Sequence, residues 1–350
     1  METYLDKQRV ELATLWNESL IREEREPRTR DYLWCSQLLK PPVDIWLQMK
    51  GTKPSNEPNE RSKRKFMAGN FFEHLVSMVM MRSGVMMEKQ DEVWTEFAMK
   101  VKGKGDFVLT GHFDFDKAIA DIKNMCLPSS MEEMFLKICE KMKDKFEGAE
   151  IEPTVFEIKT VAERTMSRIE KNGKPLESHI LQTCHYKIGR GLNDGVVAVL
   201  CRDDLRLFEY HVTAEDEKRY VERVKYLSSV ISQTERPPLA EKIIFDEILC
   251  KFSKNLDVEY SSYLTLLYGY ERPDIFADEM KPIVGRWNRV LPRIRLHLEG
   301  KRGKPTKKEP EGKPILTEKN LAVIEEIKAH GFNAYELAKI AEVSDEEETE

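Results

Sequence analysis

The sequence has no apolar run near the roughly 20 residues that a bilayer-spanning helix needs, which argues against membrane insertion. It is also short of the cysteine patterns that build metal or disulfide frameworks. Its six cysteines (Cys35, Cys126, Cys139, Cys184, Cys201, Cys250) are scattered and include no C-x-x-C pair. They read as buried, reduced thiols. The first twenty residues, METYLDKQRVELATLWNESL, are acidic and amphipathic where a secretory leader is basic and then apolar, so the expected location is the cytoplasm, or the host cytoplasm if the chain is viral. No internal repeat is apparent. The net charge of −6 argues against wholesale electrostatic capture of nucleic acid, yet the average hides local blocks, with RSKRK at 61–65 and KRGKPTKK at 301–308 basic and DEEETE closing the chain.

What is present is a chain long enough for two domains or one elaborated domain. Residues 1–65 read as an N-terminal helical region broken by REPR, KPP and GTKPSNEP. A helix from about Lys65 to Arg82 carries an apolar face of Phe72, Leu75, Val76, Val79 and Met80. Strand texture extends from Glu92 to Phe115, with turn signals in KGKGD and TG, and then comes an amphipathic helix in SSMEEMFLKICEKMKDKFEG. TVFEIKTVAE reads as a strand, ESHILQTCHYKIGRGL as a helix, and GVVAVLC with LRLFEYHV as a hairpin closed by RDD. The expected segments are a core over 66–250, a helical extension over 251–298, a basic flexible linker over 299–314, a helical hairpin over 315–343 and an acidic tail over 344–350. The expected fold class is α/β, a central mixed sheet flanked by helices, with helical additions at both ends.

The strand at 154–163 raises a chemical question. Alternate residues share a face, so Glu157 and Lys159 project together in a run that is otherwise apolar. Opposite charges on a buried strand are unfavourable unless paired or bound. The acid-x-lysine pattern recurs along the chain, but only Asp121 and Glu157 stand in apolar, strand-like runs (AIADIK and TVFEIK). Around Glu157 lie further groups in order. Gly69 and Glu73 share the predicted helix, Gly111 and Asp114 form Gly-x-x-Asp near a strand end, and Gln182 and Tyr186 stand four apart on one helix face.

Gly-x-x-x-Glu, Gly-x-x-Asp, Glu-x-Lys and Gln-x-x-x-Tyr, in that order, resemble the PD-(D/E)XK nuclease superfamily, particularly its RecB-type and lambda-exonuclease-like branch with phage and CRISPR-adaptation relatives. The resemblance covers roughly residues 66–235. It implies a restriction-endonuclease-like core and a Mg²⁺- or Mn²⁺-dependent deoxyribonuclease, an exonuclease or end-processing enzyme of phage-type recombination, repair or replication. It implies metal ligation by Glu73, Asp114, Glu157 and the carbonyl of Ile158. Lys159 would hold or activate the attacking water, Gln182 would orient the lysine or contact DNA, and Tyr186 would pack against the site or a nucleotide. His74 is read as packing beside it. The chemistry accounts for the residue types: a divalent cation lowers the pKa of its water and neutralises charge on the pentavalent transition state, and hard oxygen donors suit Mg²⁺ or Mn²⁺. The iron-sulfur cluster of many adaptation nucleases is not expected, because only Cys35 and Cys250 fall near its ligand positions.

DNA, duplex or single-stranded, is the expected partner, held by Arg61, Lys63, Arg64 and Lys65 and by Lys301, Arg302 and Lys304. A recombination or replication protein would dock on the C-terminal region. Two rival readings stay open: a non-cutting nucleic-acid-binding or assembly module of the same fold, and an RNA endonuclease. Asp121 with Lys123, on a possible hairpin, is the rival to Glu157 with Lys159.

Overall fold

A computed structural model describes residues 27–56, 60–81, 86–89, 92–233, 235–246, 251–302 and 315–338. The chain forms two compact units, one of residues 1–53 and 58–237, the other of 54–57 and 238–350. The division thus falls between Pro237 and Pro238, and residues 238–250 belong to the second unit.

In the first unit, β1 (Tyr32–Trp34) and α1 (Pro42–Met49) precede α2 (Glu60–Met81), so a segment expected to be wholly helical contains a strand. Four strands come next: β2 (Met86–Lys89), β3 (Glu92–Glu96), β4 (Lys100–Lys104) and β5 (Phe107–His112). The unit continues with α3 (Phe115–Asn124), α4 (Ser129–Phe146), β6 (Glu150–Val161), α5 (Glu163–Asn172), α6 (Glu177–Arg190), β7 (Asp194–Cys201), β8 (Leu207–His211) and α7 (Ala214–Ile231). The expected central mixed sheet is present, in the order β2-β5-β6-β7-β8. Only β6 and β7 run parallel, because α5 and α6 carry the chain back across the sheet between them, whereas the other pairs are antiparallel. The turn at Arg202–Asp204 closes the expected β7–β8 hairpin.

Both faces of this sheet are covered. Val155, Val161, Val197 and Val199 share one apolar cluster with Ile180, Leu181, Cys184 and Tyr186 of α6. On the opposite face Ile158, Ala198, Leu200 and Phe107 pack with Val76 and Phe72 of α2. Burial on two sides explains why GVVAVLC is apolar throughout rather than alternating. A second, three-stranded sheet, β1-β4-β3, packs through Val93 and Val101 into the same core as α6.

The AIADIK run is helical and not a strand. Phe115, Ala118 and Ile122, spaced three and four apart, are all fully buried along α3. Asp121 and Lys123 therefore face away from that stripe, on a helix, and the hairpin considered for them does not form.

The second unit begins with an antiparallel pair, β9 (Ile243–Asp246) and β10 (Lys251–Lys254). Short helices α8 (Leu256–Glu259) and α9 (Leu264–Tyr268) lead to α10 (Pro273–Leu298) and α11 (Glu318–Ala329). Trp287, fully buried on α10, centres a core that includes Phe252 of β10, Ile324 and Ile327 of α11, and Ala334 and Ala338 beyond it. The segments expected as a separate extension and hairpin thus share one core, and the extension opens with a strand.

Candidate active site

β6 enters the core with Val155 fully buried and presents Glu157 and Lys159 on that same face. Glu157 is only 2% exposed, while 24% of the Lys159 side chain reaches solvent. The two are joined by an ion pair from the Lys159 ammonium to Glu157 Oε1.

The register of the neighbouring strand brings in a second acid. Phe107 of β5 lies opposite Phe156, so one further step places Asp106 opposite Glu157. Residues directly opposite on antiparallel strands point to the same side. The Asp106 carboxylate accepts a 2.6 Å hydrogen bond from the Ile158 N–H, which fixes it across the strand. Burial raises the Asp106 carboxyl from 3.8 to about 8, reinforced by the charge of Glu157 and by that of Glu73, and opposed by Lys159. Glu157 is raised as well, chiefly by burial, against the pull of Lys159. Burial disfavours the Lys159 cation, but Glu157 and Asp106 outweigh it and leave the ammonium held more firmly than usual.

Asp114, the acid expected from Gly-x-x-Asp, is placed elsewhere. It is the N-cap of α3, its Oδ1 accepting from the Lys117 N–H at 2.9 Å. A cap of this kind satisfies one of the free amides of a first helical turn. Gly111 pairs with Ile151, some six residues along β6 from Glu157, so Asp114 comes after a strand that has already run away from the site. A second Gly-x-x-Asp, Gly103 to Asp106 within KGKGD, delivers the carboxylate instead.

Gly103 is required by the packing. A Cβ there would lie 2.5 Å from Tyr186 Cε1, 2.6 Å from Cys35 Sγ and 2.7 Å from His185 Cδ2. That close approach brings β4 down onto α6 and aims the residues after it at β6. Tyr186, 1% exposed, donates from its hydroxyl to the Lys104 carbonyl at 3.0 Å and lies 3.1 Å from Cys35 Sγ. It holds strand to helix and is too deep to touch a nucleotide. Burial pushes the Cys35 thiol up to about 12, and Tyr186 and Gln182 hydrogen-bond to it. Gln182 thus stands beside the site on the α6 face that Tyr186 shares, bonded to Cys35 and to Tyr186.

Glu73 lies half-buried on α2, and its charge reaches both Asp106 and Glu157. α2 also carries the RSKRK block, with Lys63 and Arg64 half-buried and Lys65 exposed. The Arg61 and His74 side chains and all of Lys304 lie outside the described residues. Lys301 and Arg302 belong to the second unit, where Lys301 pairs with Glu299 at 2.5 Å.

Two polar atoms here are buried with no hydrogen-bond partner among the described residues: Glu157 Oε2 and His179 Nδ1. An orphaned, buried carboxylate oxygen with a second carboxylate on the adjacent strand and the Ile158 carbonyl next to it is a donor set that fits a hard divalent cation. Asp106, Glu157 and the Ile158 carbonyl are the groups that would hold it, with the charge of Glu73 adding to the attraction from α2. His179 is marked by no motif in the sequence; the available signal is its place one turn before Gln182 on α6.

A second acidic cluster does not compete. Glu163, Cys201 and Asp204 bring ligand atoms within 4.8 Å of one another. Arg206 already serves these acids, pairing with Glu163 at 2.7 Å, with Glu170 at 2.8 Å and with Asp204.

No protein-family model matches the sequence, and no curated protein matches it. Among solved structures the chain is similar to that described as the crystal structure of SSO0001, at 13% identity and a TM-score of 0.38, over 73% of this chain and 96% of that one. It is also similar to an alkaline exonuclease, LHK-Exo, from Laribacter hongkongensis, at 14% identity and a TM-score of 0.34, over 57% of this chain and 90% of that one. The same exonuclease in complex with dAMP matches at 14% identity and a TM-score of 0.34, over 57% and 89%. Similarities this low assign nothing to this chain on their own.

Proposed function

We propose that this protein is a divalent-metal-dependent deoxyribonuclease that hydrolyses phosphodiester bonds, acting as an exonuclease or end-processing enzyme. The observation that carries the reading is the convergence, on adjacent antiparallel strands, of Asp106, Glu157 and Lys159 at a buried carboxylate oxygen that has no partner among the described residues. Carboxylates whose pKa values are raised by burial and by one another mark sites built to exchange protons for cations. Bound there, Mg²⁺ or Mn²⁺ would supply an activated water and charge neutralisation on the scissile phosphate.

The chain's own residues account for the remainder. Asp106 is fixed by the Ile158 amide, so its carboxylate is oriented before any ligand arrives. The Lys159 ammonium, held charged by Glu157 and Asp106, would orient water and stabilise the developing oxyanion. Glu73 adds a further negative charge from α2, the helix that also carries Lys63, Arg64 and Lys65 for phosphate contacts. The ordered motifs in the sequence support the same assignment, with Gly103-x-x-Asp106 in place of Gly111-x-x-Asp114.

The test is an assay of linear and circular duplex DNA, single-stranded DNA and RNA with Mg²⁺, Mn²⁺ or EDTA. Metal-dependent loss of linear DNA, abolished by Glu157→Ala and by Lys159→Ala, is the expected result. Binding without cleavage under every metal condition would reject the enzymatic reading.

A further inference from the structure

His179 sits in the first turn of α6, three residues before Gln182 and seven before Tyr186, so all three share one helix face. Its Nδ1 is buried and without a partner among the described residues, and the neighbouring charge it feels is the ammonium of Lys159. That ammonium is committed to Glu157 Oε1. This arrangement contains a conflict. A cation that takes both oxygens of Glu157 would compete with Lys159 for Oε1, and a buried ammonium deprived of its acceptor is strongly unfavourable.

Resting on the metal-site reading above, we propose that His179 is a positioning residue: its Nδ1 is the acceptor that takes the Lys159 ammonium when a divalent cation claims Glu157. Lys159 donates an N–H to Nδ1, the imidazole keeps its own proton on Nε2, and no proton changes owner. Burial and the nearby ammonium hold the imidazole neutral, with a pKa down at about 3, so the acceptor is available across the whole working range. The transfer turns Lys159 from a partner of one carboxylate into a fixed donor between the metal ligands and the α6 face.

Selective ¹⁵N-histidine labelling reads this directly, with His179→Asn identifying the resonance among the seven histidines. Addition of Mg²⁺, with its binding monitored by calorimetry, is expected to shift the His179 Nδ1 resonance in the direction of an accepted hydrogen bond. The shift is expected to vanish in Lys159→Met while Mg²⁺ still binds. In turnover, His179→Ala is expected to lower kcat roughly 10–100-fold, the range for residues that support a metal site from behind. KM for DNA is expected to stay unchanged, whereas Mg²⁺ affinity is expected to fall, because the bound state loses the acceptor for the displaced ammonium. His179→Asn, whose amide oxygen can stand where Nδ1 stood, is expected to recover most of the loss.

A Mg²⁺-bound wild type with an unmoved Nδ1 resonance would overturn the proposal. So would a shift that persists in Lys159→Met, since His179 would then be touching the cation itself. Failure of wild type to bind Mg²⁺ or Mn²⁺ at all would instead remove the metal-site reading, and this role with it.

Discussion

At the scale of single residues, the two candidate aspartates make opposite predictions. Asp106→Asn is expected to abolish cleavage and weaken Mg²⁺ binding at least roughly tenfold by calorimetry, because it removes a charge fixed against β6. Asp114→Asn is expected to leave both intact, since an asparagine caps a helix about as well as an aspartate. Glu157 and Lys159 are legible in the sequence because charges interrupt an apolar alternation there. The choice between Asp106 and Asp114 is not, since both stand at the end of the same Gly-x-x pattern and only strand register, a tertiary property, decides which one meets Glu157. His179 is hidden for a similar reason: its significance lies in an unpartnered atom, which no spacing reveals.

The same aspartate sets a pH dependence. A carboxyl at about 8 when folded and 3.8 otherwise binds more protons in the folded state throughout that interval. The unfolding free energy of the metal-free protein therefore falls as pH rises from about 4 through 8. A divalent cation replaces the proton, so the Mg²⁺-induced rise in Tm is expected to be larger at about pH 8.5 than at about pH 6, with proton release on binding in between. EDTA is expected to reverse it, and Asp106→Asn to flatten the difference; differential scanning calorimetry at both pH values checks all three.

At the scale of elements, α6 is the part that joins the site together. It bears His179, Gln182 and Tyr186 on one face and packs against both sheets. Tyr186→Phe removes a buried hydroxyl that donates to the Lys104 carbonyl and bonds to Cys35. A loss of about 1–3 kcal/mol in urea denaturation is expected. The Gln182–Tyr186 spacing is readable as a helical pair, and the β7–β8 hairpin from its RDD turn. The α3 segment is deceptive because AIADIK alternates locally, while the spacing of Phe115, Ala118 and Ile122 that marks a helix extends beyond that window.

At the scale of the whole molecule, every group placed in the candidate site lies in the first unit, and the second has a core of its own around Trp287. Trp287→Ala is expected to destabilise the second unit by about 3–5 kcal/mol, while Mg²⁺ affinity at Asp106 and Glu157 stays unchanged. Calorimetry, thermal and isothermal, reads both. The division near Pro237 is not legible because the sequence signals there, ERPP and the strand texture beyond it, look like any other loop and strand. A shared core among 251–298 and 315–338 is likewise a matter of which apolar faces meet.

Gly103 carries a consequence for descent as well as for packing. Three side chains from two separate places in the chain, Cys35 and the adjacent pair His185 and Tyr186, crowd the space where its missing methyl would sit. Any lineage in which that glycine grows must first have whittled down one of those neighbours, so replacements at these four positions should travel together. Such linked drift, found in a distant cousin whose overall resemblance has faded, would identify the kinship.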